Sequence, residues 1–135
     1  MLKGKLIHPD IMGALAFCGH GDKILIADGN YPLNSKTREA KTVYLGLKPG
    51  LPTVTDVLEA IQNVVNIEKA EVMSPADGTT PEIFSTFTKM MHGVELTKLG
   101  RYEFYDACCV PGVKLAISTG ETRTFANLLI TIGVA

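Results

Sequence analysis

FCGHGDKILIADGNYP, residues 17–32, sets one histidine and two carboxylates around a short apolar run. Lys23-Ile24-Leu25-Ile26-Ala27 is near-continuously apolar and β-branched, with Gly21 before it and Gly29 after it, which predicts a buried strand. His20 and Asp22 then stand at the strand's entrance and Asp28 at its exit. A strand rises about 3.3 Å per residue. The two ends are therefore too far apart to serve one ligand unless the entering loop folds back or a second chain helps.

His8-Pro9-Asp10 opens a helix through Cys18, because Pro9 suits a first turn and Ile11, Leu15 and Cys18 recur at helical spacing. Gly19 is expected to stop it as a C-terminal glycine. After the first strand, Asn30 to Ala40 shows no period and is a loop, at the carboxyl end of a strand where open α/β sheets bind ligands. Thr42 to Leu47 is a second strand. Pro52-Thr53 opens a crossover helix with an apolar stripe at Val54, Val57, Leu58, Ile61 and Val65. Lys69 to Met73 is a third strand, and Thr80-Pro81-Glu82 has the form of an N-cap followed by proline, opening a helix to about Met91. Val94 to Leu99, Lys114 to Ser118 and Leu128 to Ile132 complete the strands, with a short helix over Arg101 to Cys109. The polar segment Thr119 to Asn127 is longer than a hairpin needs.

Strands alternating with helices predict one α/β domain over residues 1–135, a three-layer α/β/α arrangement around a mainly parallel or mixed sheet of about six strands. At 135 residues the chain suits a single core. A net charge of −1 argues against nucleic acid and anionic membranes, both of which demand excess Lys and Arg. No apolar run approaches a membrane span and no signal-peptide pattern opens the sequence, which predicts a cytoplasmic protein. Three cysteines, two of them adjacent at Cys108 and Cys109, form neither a disulfide framework nor a metal motif.

Among chemistries, metal binding is disfavoured because His8, His20 and His92 are scattered. Nucleotide cofactors are disfavoured because no glycine-rich phosphate loop follows the first strand. A cysteine nucleophile has no base near it in sequence. Acid–base chemistry remains: histidine is the side chain suited to proton transfer near neutrality, and Asp22 or Asp28 can orient it or receive a hydroxyl. Each also has a structural use, Asp22 as a turn cap, Asp28 as a strand-ending turn former, Tyr31 as loop packing and Glu121 as a holder of backbone amides.

Gly19-His20-Gly21-Asp22, then Asp28 and Pro32, Asp77-Gly78 with Pro81-Glu82, Arg101-Tyr102-Glu103-Phe104-Tyr105, Thr119-Gly120-Glu121, Asn127 and Gly133-Val134 follow one another in a familiar order. In that order and spacing the chain resembles the RbsD/FucU family of ribose pyranases and fucose mutarotases over essentially its whole length. Arg101 with Phe104-Tyr105 is more similar to the fucose branch.

The resemblance implies an isomerase that interconverts ring forms of a free monosaccharide, L-fucose first, by acid–base ring opening and reclosure with no metal and no organic cofactor. His20 matches the family's proton donor and Tyr105 a second acid–base group. Asp28, Arg101, Phe125 and Asn127 match sugar contacts, and Glu68 and Met73 fall near further ones. Phe125 departs from the family's tyrosine and lacks its phenolic oxygen. The resemblance also implies a homo-oligomer, commonly a decamer, with the site near a subunit boundary. Two alternatives stand beside this reading: a D-ribose pyranase exchanging pyranose and furanose, and a sugar-binding member without turnover.

Overall fold

Ile24, Leu25, Ile26 and Ala27 are completely buried, as a central strand covered on both faces requires. The computed structural model, which describes residues 1–135, places them in β1 (Lys23–Ala27). Around it, in chain order, are α1 (Pro9–Ala16) before it and then β2 (Lys41–Tyr44), α2 (Val54–Gln62), β3 (Ile67–Met73), α3 (Ile83–Met90), β4 (Leu96–Leu99), α4 (Arg101–Cys108), β5 (Val113–Ser118) and β6 (Leu128–Ile132). The six strands form one sheet in the order β2-β5-β1-β6-β3-β4. The β2–β5, β5–β1 and β3–β4 pairs are parallel. β6 runs antiparallel to both of its neighbours, β1 and β3. The sheet is thus mixed, and the expected α/β class holds.

Side chains alternate across each strand, and two separate cores follow from that period. Ile24, Ile26, Val72, Leu115, Ile117, Leu128 and Ile130 face α1, α2 and α3, which supply Ile11, Leu58, Ile61 and Phe87. Leu25, Ala27, Met73, Ala116 and Leu129 face the opposite way, under Phe104 and Cys108 of α4 and under Tyr31 and Leu33 of the long loop. Phe87 and Phe104 are fully buried, and truncating either to alanine costs about 3–5 kcal/mol. No helix is long and apolar enough to cross a membrane.

Several boundaries differ from the sequence expectation. α1 ends at Ala16 with Phe17 as a right-handed cap, so Gly19 is not its left-handed stop; that backbone conformation belongs to Gly21, at φ 90°. Thr80 does not cap α3. Its cap position is Glu82, reached through a tight turn in which the Phe84 amide donates to the Pro81 carbonyl and the Ser85 amide to that of Glu82. β2 stops at Tyr44, because the following residues close a turn with the Leu47 amide donating to the Leu51 carbonyl. β4 begins only at Leu96, since His92 and Gly93 both adopt left-handed φ and spend two residues on the turn.

The capping expected of α2 is present in full: Thr53 Oγ1 accepts from the Asp56 amide and the Asp56 carboxylate accepts from the Thr53 amide. Glycine is obligatory at position 120, where a Cβ would lie 2.5 Å from the Lys48 carbonyl oxygen and 2.6 Å from that of Leu51.

Candidate active site

The reversed direction of β6 brings the start of that strand to the same sheet end as the exits of β1 and β3. Asp28 directly follows β1, Met73 ends β3, Arg101 opens α4 one residue after β4, and Asn127 directly precedes β6. With Tyr105, one helical turn beyond Arg101, and Phe125 they line a cavity of about 270 Å³. Six residues expected to touch one ligand are thereby brought together. Asn30, Tyr31 and Thr124 line it too. Sequence reasoning assigned Tyr31 to loop packing and missed Asn30 and Thr124, although their loops flank Asp28 and Asn127.

Asp28 is buried, at 3% exposure, and both of its carboxylate oxygens are engaged. Oδ1 accepts from the Asn30 amide at 2.9 Å and Oδ2 from Asn127 Nδ2 at 3.0 Å. Asn127 Oδ1 in turn accepts from the Asp28 amide at 2.8 Å. Burial pushes the Asp28 carboxyl above the usual aspartate range; the Asn30, Tyr31 and Asn127 hydrogen bonds oppose the shift and the Glu121 charge adds to it. A buried carboxyl with a raised pKa at a cavity is a candidate functional group.

Aromatic rings form the facing wall. Tyr105 meets Tyr31 edge-on at 5.5 Å between centroids and Tyr102 at 6.4 Å. Tyr31 also meets Phe104 at 6.1 Å. Burial pushes the Tyr31 hydroxyl's pKa up, so it stays protonated, and it donates to the Lys36 carbonyl at 3.1 Å. Phe125 has φ 60°, a left-handed backbone rare for a bulky residue. Observed outliers of this kind cluster at ligand sites.

The loop carrying Phe125 is held by Glu121, whose side chain is 2% exposed. It accepts from the Val54 amide at 3.2 Å, the Arg123 amide at 3.0 Å and the Arg123 guanidinium at 2.9 and 2.7 Å. Those Arg123 hydrogen bonds, partly offset by burial, bring the Glu121 carboxyl down to about 2. The structural role expected for Glu121 is what this geometry describes.

His20 is not in the cavity of its own chain. It precedes β1 while Asp28 follows it, at the opposite sheet end. There His20 Nε2 meets Glu68 Oε2 at 2.9 Å, so Glu68 stands with the histidine and apart from the other ligand candidates. Both are solvent-accessible, and His20 lines a cavity of about 470 Å³ with Val64, Asn66 and Val134. Asp22 closes the turn, accepting from the Gly19 amide at 2.8 Å. No group of three His, Cys, Asp or Glu side chains is placed to hold a metal ion.

Comparison with known proteins identifies relatives over the whole chain. The model of the RbsD / FucU transport protein family matches residues 1–135. D-ribose pyranase of Proteus mirabilis (strain HI4320) is 30% identical, the alignment covering 99% of each chain. The D-ribose pyranase of Symbiobacterium thermophilum is 29% identical over 99% of this chain and 98% of its own. Among solved structures, Bacillus subtilis RbsD complexed with D-ribose superposes with TM-score 0.86 at 27% identity, covering 100% of this chain and 99% of the other. The fucose mutarotase of Streptococcus pneumoniae in complex with L-fucose gives 0.80 at 28%, covering 96% and 94%. A family match over residues 1–135, a relative 30% identical over 99% of each chain and close superposition on two sugar-bound structures leave one classification: the chain belongs to the RbsD/FucU family, the pyranase and mutarotase group of sugar isomerases.

Proposed function

We propose that the chain is a cytoplasmic mutarotase of free monosaccharides, with L-fucose as its first substrate. The observation that carries the reading is the convergence of Asp28, Arg101, Tyr105 and Asn127 on one cavity of about 270 Å³. That volume lies just below the usual range of ligand sites, about 300 to 1,000 Å³, and suits one sugar ring.

In ring opening, protonated His20 gives its proton to the ring oxygen as the C1–O5 bond breaks. Tyr105, as its phenolate, takes the proton of the anomeric hydroxyl and becomes neutral, and that O–H electron pair becomes the C1=O bond of the aldehyde. Rotation about C1–C2 and the reverse transfers close the other anomer. Asp28, Arg101 and Asn127 hold the remaining hydroxyls. A positioned acid–base pair supplies about 10²–10⁴-fold, enough for a reaction that proceeds slowly unaided.

His20 reaches the sugar from a second copy of the chain. Phe17, Val64 and Val134 are exposed apolar residues close to it in sequence or in its cavity, the kind of surface that an interface covers. With Nε2 engaged by Glu68, Nδ1 is the nitrogen left for the substrate.

A D-ribose pyranase is the second reading, favoured by relatives of that name over full length. Saturation-transfer NMR on equilibrated L-fucose and D-ribose separates the two. Accelerated exchange between the anomeric signals of L-fucose is expected; acceleration confined to pyranose–furanose signals of D-ribose reverses the order. Binding without acceleration of either removes the catalytic reading.

A further inference from the structure

We propose that Lys36 is a positioning residue for ring opening, its ammonium set over the Tyr105 ring to offset the negative charge that Tyr105 carries on one side of the proton transfer. The inference rests on the reading of Tyr105 as an acid–base group. Lys36 Nζ lies 5.4 Å from the Tyr105 ring centroid, inside the distance at which a cation and an aromatic face attract.

The lysine is held there by its own backbone. Its amide donates to the Pro32 carbonyl at 2.9 Å, and its carbonyl accepts from the Tyr31 hydroxyl at 3.1 Å. Tyr31 in turn packs edge-on against Tyr105. Tyr31, Lys36 and Tyr105 therefore form one closed circuit, of which Tyr31 and Tyr105 line the cavity and Lys36 stands behind them.

The charge is also uncommitted. Lys5, Lys23 and Lys41 each pair with a carboxylate, whereas Lys36 makes no ion pair. A lone cation attracts a neutral ring weakly and an anionic one strongly. In the reverse transfer that closes the ring, Tyr105 gives up its proton and its oxygen turns anionic, so the attraction to Lys36 grows towards that transition state; equal attraction in both states would not accelerate the step. The plain alternative is a loop lysine that lays its stem on an aromatic ring and contributes packing only.

The test is a double-mutant cycle read by saturation-transfer exchange of L-fucose and of D-ribose, with thermal melting to confirm folding. Lys36→Met is expected to lower kcat about tenfold at unchanged KM, and Lys36→Arg to recover most of the rate. In a Tyr105→Phe background, Lys36→Met is expected to cost nothing further. A Lys36→Met enzyme at the parent rate, one changed only in KM, or one that loses the same factor with and without the Tyr105 hydroxyl overturns the proposal. Full activity of Tyr105→Phe by itself would instead remove Tyr105 from the chemistry, and Lys36 with it; the two failures are therefore distinguishable.

Discussion

Asp28 and Asn127, 99 positions apart, exchange two hydrogen bonds, one through the Asp28 amide and one through its carboxylate. The second carboxylate oxygen serves the Asn30 amide, so both oxygens must accept. Asp28→Asn therefore sets an amide N–H₂ against a donor whichever way it turns. It is expected to cost about 1–3 kcal/mol by urea unfolding and to lower anomeric exchange by about 10²-fold or more. The swap Asp28→Asn/Asn127→Asp restores every donor–acceptor match and should recover stability but not exchange. Recovered exchange would show that the carboxylate's position is immaterial to the reaction.

Glu121 supplies a pH dependence. Its folded pKa, about 2, lies below the ordinary 4.5, so its contribution to stability is complete above the unfolded value and is lost as pH falls from about 4.5 to about 2. Arg123 is half exposed, which screens part of the pair. Glu121→Gln is expected to flatten the stability curve in that acid window and to cost about 1–3 kcal/mol at neutral pH. Urea titrations from about pH 2 to 7 measure both; an unchanged acid slope would mean that another carboxylate governs it.

Placing His20 and the sugar pocket at opposite sheet ends predicts complementation between subunits. His20→Ala and Arg101→Ala are each expected to reduce exchange by about 10²-fold without unfolding the chain. Dissociated and reassembled together, they should regain roughly a quarter of the parent rate, because one pairing in four then unites an intact histidine with an intact pocket. If mixing restores nothing, His20 does not act across a boundary.

The physical origin of each feature decided how far the sequence disclosed it. β1 was legible because four consecutive buried apolar residues have few other uses, and α2 because Thr53 and Asp56 stand at capping-box spacing. Gly19 and Thr80 misled because a residue type that suits a cap does not establish that the chain takes the matching backbone path there. The reversal of β6 leaves no trace in composition, since a strand buried on both faces reads the same in either direction. Asp28 stood out from its place at the end of the first strand, Arg101 and Asn127 only through family resemblance, while Asn30 and Thr124 were passed over as ordinary polar loop residues.

Phe125 gives a gain-of-function prediction. Phe125→Tyr keeps the aromatic ring and the backbone preference while adding one hydroxyl at the cavity wall. One further hydrogen bond to a sugar is expected to raise kcat/KM about 2–10-fold in the same NMR assay. A neutral or harmful outcome would place the ring edge away from the bound sugar.

Between β1 and β3 there is no ladder except the one that β6 makes with each. A ribosome-bound chain that has not yet exposed residues 128–132 therefore holds two unlinked half-sheets, β2-β5-β1 and β3-β4, with bare edges facing each other. The polypeptide commits to a single sheet only when its last strand slides into the gap. During synthesis that unfilled slot is the site most open to mispairing with another chain.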